Sequence, residues 1–166
     1  TVLADGSSAW QSDGAPSDCV ALAMMGALEQ DFDLLVSGIN PNANIGLDVT
    51  YSGTVTAAME ASIWGKPGIA VSLDAPENHH GRLDFRSAAE TAAQLTWQLA
   101  ERANGTHPAP IYNINIPYRP EGDYAGVMIT RQGVRIYRDV LEKRIDPRGK
   151  PYYWIAGDPP SGIKED

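Results

Sequence analysis

Apolar residues recur at helical spacing in three stretches of the chain. Over residues 16–30 the repeating positions are Val20, Met24, Ala27 and Leu28, after a turn cluster Ser12-Asp13-Gly14-Ala15-Pro16 that puts Pro16 in a helix first turn. Over residues 52–64 they are Val55, Ala58, Met59 and Ala61, small enough for a helix packed closely on a sheet, and Gly65-Lys66-Pro67-Gly68 ends the pattern. Over residues 85–102 they are Ala89, Ala92, Ala93, Leu95, Trp97 and Leu99, closed by Asn104-Gly105.

Between these stretches lie short apolar runs that read as buried strands: residues 33–36, 69–73, 111–116 and 127–130. Residues 135–155 are charged and aromatic around a turn at Asp146-Pro147-Arg148-Gly149, the pattern of a protruding hairpin. Alternation of strand and helix predicts an α/β fold: a mostly parallel, Rossmann-like sheet flanked by helices, with the β-hairpin near the C-terminus. No repeat, linker or low-complexity tract divides residues 1–166, which read as one domain.

Composition narrows the classes of function. The 166 residues are 43% hydrophobic and 20% charged, within the range of an ordinary globular domain with a real core. With 21 acidic against 13 basic residues the net charge is -8, and no Lys/Arg run could track a phosphate backbone, so a nucleic-acid polymer is not expected as partner. A small phosphate ester remains compatible, because backbone N–H groups and a divalent cation can hold one in an acidic protein. The single Cys19, with no bilayer-length apolar run and no signal-peptide pattern, points to a reducing, cytoplasmic setting and no membrane. The chain opens at Thr1 and not at Met, straight into Val2-Leu3-Ala4-Asp5-Gly6, and reads as the middle of a longer product.

The leading site candidate is the Gly- and Asn-rich loop over residues 37–46, since ligands of open α/β sheets bind beyond the carboxyl ends of the strands. Asn40 could offer an amide oxygen to a hard divalent cation but could not hold it alone. In Tyr51-Ser52-Gly53-Thr54, two hydroxyls and the free N–H groups of a starting helix suit a tetrahedral oxyanion. The structural alternative is that Ser52 merely caps the helix and the asparagines merely turn the chain; spacing alone leaves both open. No Gly-x-Gly-x-x-Gly follows a strand here, which argues against a dinucleotide-dependent oxidoreductase.

Several ordered blocks resemble the SurE family of survival nucleotidases. They are Gly14-Ala15-Pro16-Ser17-Asp18-Cys19-Val20, then Asp33-Leu34-Leu35-Val36-Ser37-Gly38-Ile39-Asn40, then Tyr51-Ser52-Gly53-Thr54-Val55 with Ala57-Ala58-Met59-Glu60, and Ala70-Val71-Ser72-Leu73. Asn113-Ile114-Asn115-Ile116-Pro117, Thr130-Arg131-Gln132-Gly133 and Asp146-Pro147-Arg148-Gly149 with Tyr152-Tyr153-Trp154-Ile155 continue the match along essentially the whole chain. The resemblance implies removal of phosphate from nucleoside 5′- or 3′-monophosphates with Mg²⁺ or Mn²⁺, one ion per subunit. It makes Asn40 a metal ligand, and Asn44, Ser52, Gly53 and Thr54 phosphate- or substrate-binding residues. It implies a homodimer or homotetramer whose subunit contacts use the hairpin, residues 135–155.

Two family features are missing from these residues: an opening strand that ends in a metal-binding Asp-Asp pair, and a Ser of a later loop. One neutral carbonyl cannot offset the dehydration of a divalent ion, so the chain by itself is expected to bind metal poorly. The family's closing strands are missing too, and a domain incomplete at both ends is expected. A competing expectation is a phosphate-binding or oligomer-forming module without catalysis. Within the motifs, Ala15 stands where the family has Thr, a loss of about 1 kcal/mol of capping that Ser17 would partly offset. Asn42 replaces a Gly and is expected to tolerate a left-handed backbone. His79, His80 and His107 read as solvated loop residues, Asp18 as compensation for a helix dipole, Asp48 as a loop residue near the site, Glu60 as a solvent-facing helix residue, and Cys19 as a small buried hydrophobe.

Overall fold

The computed structural model describes residues 1–76 and 78–162. Helix α1 (Pro16–Leu22) begins where Pro16 predicts. Its cap differs from expectation: Ala15 offers no side chain, and the Asp18 carboxylate accepts the Ala15 N–H at 2.8 Å, half of a capping box supplied from inside the helix. The helix is shorter than the 16–30 expected, because residues 23–27 widen into a π-helical turn that stops at Gly26 with φ +93°. Cys19 lies exposed on this helix, not buried.

Strand β1 (Leu35–Asn40) runs further than the apolar pattern suggests, taking Ser37 to Asn40 out of the loop and into the sheet. Helix α2 (Gly53–Ile63) and strand β2 (Gly68–Asp74) follow, then α3 (Arg86–Ala103) and β3 (Ile111–Pro117). The three strands form a parallel sheet in the order β1-β2-β3. Crossover helices cover both faces, as parallel strands require. All of β2 except Asp74 is buried. Ile69, Val71 and Leu73 face α3 with Ala88, Ala92 and Ile116. Ala70 packs on the other face against Val55 and Ala58 of α2, and α2 in turn buries Ala57 and Ala61 against Val20. Small residues let that helix come close: a Cβ on Gly68 would overlap the carbonyl oxygen of Ala58.

Residues 127–130 do not form the expected strand. They have no ladder partner among the described residues, and Val127, Met128 and Ile129 are exposed.

The chain divides into two compact units, Thr1–Asn44 with Val49–Met128, and Ile45–Asp48 with the chain from Ile129 onward. The second unit is built on an antiparallel hairpin of β4 (Arg135–Ile145) and β5 (Pro151–Gly162). Its turn is tied by Asp146, whose carboxylate accepts the N–H groups of Arg148 and Lys150 at 2.8 Å each. Within this unit Gln132 donates to the Gly46 carbonyl at 2.8 Å, and Tyr137 hydrogen-bonds Asp48.

Candidate functional site

Parallel β1-α2-β2 topology sets the carboxyl end of β1 and the N-terminus of α2 at the same edge of the sheet. Asn40 is the last residue of β1 and pairs with Ser72 of β2, which pairs with Asn115 of β3. The three make a polar row across the carboxyl end of the sheet.

Backbone geometry makes the row possible. Gly38 has φ +128°, and a Cβ there would run into the carbonyl oxygen of Val71 on the neighbouring strand. Only glycine fits that approach, which carries β1 on to Asn40. The Asn40 amide is then oriented by its own loop: Nδ2 donates to the Asn42 carbonyl, and Oδ1 has no donor among the described residues. Asn42 itself takes no left-handed conformation; Glu29 is the described non-glycine residue with positive φ, and Gly46 turns the loop at φ +57°.

Asn44 is 6% exposed. Its Nδ2 donates to Ser72 Oγ at 2.6 Å, so one of its two amide N–H groups is held within the protein. The loop is further held by Asn113 and Asn115, neither of which stands out from composition or charge. The signal for both was period-2 placement of two amides in the apolar run Ile111-Tyr112-Asn113-Ile114-Asn115-Ile116, which sets them on one face of a strand.

At the N-terminus of α2, Ser52 has extended backbone and its Oγ accepts the Val55 N–H at 3.2 Å. The capping reading of Ser52 therefore holds. It leaves the hydroxyl proton of Ser52 free to donate elsewhere. The N–H groups of Gly53 and Thr54 have no acceptor among the described residues, as the first turn of a helix dictates. Together with the Thr54 hydroxyl and the positive end of an 11-residue helix, they form a set of donors for an anion. Pro16 of α1 packs beneath Gly53, where a Cβ would sit 3.0 Å from Pro16 Cγ.

For a divalent cation the donor set is insufficient. No group of three or more His, Cys, Asp or Glu side chains converges among the described residues, and Asn40 contributes one neutral oxygen. Magnesium and manganese ions dehydrate reluctantly and take carboxylates, so these residues alone do not fit the ion.

The other candidates separate from the site. His79 is not solvated as expected: its ring packs edge-on to Tyr118 with centroids 4.9 Å apart, and Nε2 is buried without a hydrogen bond among the described residues. His80 and His107 are exposed, as expected of loop residues. Glu60 accepts the Trp64 indole N–H at 2.8 Å on the surface of α2. A groove of about 470 Å³ lies between β1 and α3, lined by Val36, Ile39, Ala92 and Trp97 among others. It holds no charged side chain, and among its lining side chains only the Thr96 hydroxyl and the Trp97 indole N–H could donate to an oxyanion.

The model of the survival protein SurE family matches residues 1–139. The 5′-nucleotidase SurE of Chloroflexus aggregans is 49% identical over 158 residues, covering 95% of this chain and 61% of that protein. The 5′-nucleotidase SurE of Thermosynechococcus vestitus is 49% identical over 150 residues, covering 90% and 54%. The crystal structure of the SurE protein from Aquifex aeolicus superposes with a TM-score of 0.66 at 41% identity, over 88% of this chain and 57% of that one. The chain thus spans little more than half the length of these relatives, and with a family match over residues 1–139 and the fold shared with a solved member, it belongs to the SurE survival-protein family.

Proposed function

We propose that the protein carrying this chain is a nucleotidase, a phosphomonoesterase that removes phosphate from nucleoside 5′- or 3′-monophosphates. The carrying observation is the open donor set at the start of α2, Gly53 N–H, Thr54 N–H and two hydroxyl groups, at the same sheet edge as Asn40. The relatives named 5′-nucleotidase support the substrate class.

In this reading Gly53 and Thr54 hold the equatorial oxygens of the phosphoryl group through their N–H groups, and the Ser52 and Thr54 hydroxyls donate to the same oxygens. Water attacks phosphorus in line, the P–O ester bond breaks, and the nucleoside leaves as an alcohol. Donors fixed by a helix cap need no reorganisation as charge builds on those oxygens. Asn44, carried to phosphate by the family resemblance, also shapes the loop, since one of its two amide N–H groups is bound to Ser72.

One divalent ion per subunit, Mg²⁺ or Mn²⁺, belongs to the proposal through family membership. Asn40 Oδ1 is the one donor these residues offer it; the carboxylates would come from elsewhere in the full protein. The exposed apolar residues of the hairpin, Val140, Leu141, Trp154 and Ile155, support a homodimer or homotetramer. The lone Cys19 supports a cytoplasmic setting.

The test is an assay of the full-length gene product with AMP and 3′-AMP, with Mn²⁺ or with a chelator. The expected result is release of inorganic phosphate that the chelator abolishes. Saturable nucleotide binding with no phosphate release under any of these conditions would establish the non-catalytic alternative.

A further inference from the structure

The loop after β1 is short, polar and contains Pro41-Asn42-Ala43, none of which is buried. Its fixed point is Asn44, and the way Asn44 is held is unusual for a loop residue. Asn115 grips its backbone from both sides: Oδ1 accepts the Asn44 N–H at 2.8 Å, and Nδ2 donates to the Asn44 carbonyl at 3.1 Å. Asn113 Nδ2 donates to the same carbonyl at 2.8 Å. Ser72 Oγ, wholly buried, takes the side-chain amide at 2.6 Å.

The register explains how three side chains reach one residue. Ala70 pairs with Asn113 and Ser72 with Asn115, and Ala70 faces α2, so all four share the α2 face. On that face the carboxyl end of the sheet therefore ends in a patch of amides and a hydroxyl. A side-chain amide matches a peptide group in its donor and acceptor spacing, so Asn115 binds Asn44 as a neighbouring strand would. Buried polar groups are costly unless paired, and here the pairing holds the loop in a single arrangement.

We infer that Ser72, Asn113 and Asn115 are positioning residues: they clamp Asn44, fix residues 41–44, and through the Asn42 carbonyl hold the Asn40 amide with its Oδ1 free. None of the three touches substrate in this reading. The clamp itself rests on the hydrogen bonds above; its consequence for an ion rests on the proposed role of Asn40.

Two measurements on the full-length protein separate these parts. Amide hydrogen exchange reads the clamp. In Asn115→Ala the Asn44 N–H is expected to exchange about tenfold faster, on the scale of one lost buried hydrogen bond, while the amides of Ile69 and Val71 in the central strand keep their protection. Asn115→Asp, which retains the acceptor and loses the donor, should fall between Asn115→Ala and wild type. Mn²⁺ titration reads the consequence. Asn115→Ala should weaken Mn²⁺ binding about tenfold, the usual scale for a residue that orients a ligand, and adding Asn115→Ala to Asn40→Ala should cost nothing more. Unchanged Asn44 exchange in Asn115→Ala, or losses in Mn²⁺ affinity that simply add in the double variant, would overturn the inference. An Asn40→Ala protein with wild-type Mn²⁺ affinity would instead refute the ligand role of Asn40, and the exchange of Asn44 would still decide the clamp.

Discussion

Gly38 and Ser52 carry different kinds of constraint, and substitution distinguishes them. At Gly38 both the positive φ and the close carbonyl of Val71 exclude a side chain. Gly38→Ala should therefore destabilise the protein by about 2 kcal/mol or more, seen as a lower urea midpoint at unchanged slope. At Ser52 the observed capping role and the proposed phosphate role fall on one oxygen. Ser52→Asp keeps the cap, so the unfolding midpoint should stay within about 0.5 kcal/mol of wild type. It also places a negative charge against the phosphate, so the KM for AMP should rise at least tenfold. An unchanged midpoint with unaltered KM would leave Ser52 as a cap alone. The sequence made Ser52, Gly53 and Thr54 legible as a helix start because hydroxyl, glycine and an apolar repeat occur in order. It did not reveal how Asn44 is held, since its side-chain amide meets Ser72, 28 positions away, and its backbone meets Asn113 and Asn115, 69 and 71 positions away.

Elements are legible in the sequence where periodicity is strong and obscured where turn residues lie inside a ladder. Helices α2 and α3 begin and end within a residue or two of their patterns, since small apolar residues recur and Gly65 and Gly105 follow. The apolar pattern stops short of the end of β1 because Ser37 and Gly38 resemble a turn, whereas Ser37 pairs with Ala70 of β2 and the strand runs on through an irregularity to Asn40. Residues 127–130 show the opposite error: an apolar run has strand propensity, but a strand exists only where a ladder partner does. Contact between α2 and the sheet depends on Gly68 lying under Ala58. Gly68→Ala should push the helix off β2 and cost about 1–3 kcal/mol, the scale of overpacking in a filled core. Gly65→Ala is the contrasting variant: its site has open space but φ +76°, so its cost should be the strain of a left-handed residue, about 1 kcal/mol. Thermal unfolding of the two variants would rank them.

The whole molecule combines a sheet edge that offers donors with a hairpin that exposes apolar surface. A two-stranded ribbon is marginal in water, and Leu141, Trp154 and Ile155 on this one are each more than half exposed. If they meet a second copy, Leu141→Glu with Trp154→Lys should shift the sedimenting species from an oligomer to a monomer without altering the helical signal of the first unit. An unchanged sedimentation coefficient would remove the hairpin from the subunit contact. In the proposed function the chemistry at the sheet edge depends on Asn40, whose Oδ1 accepts no hydrogen bond among the described residues. Phosphate release from AMP by the full-length protein in Mn²⁺, wild type against Asn40→Ala, is the decisive comparison. A fall in kcat/KM of at least about 100-fold with an unchanged unfolding midpoint is the predicted result; equal turnover by the two proteins would contradict it.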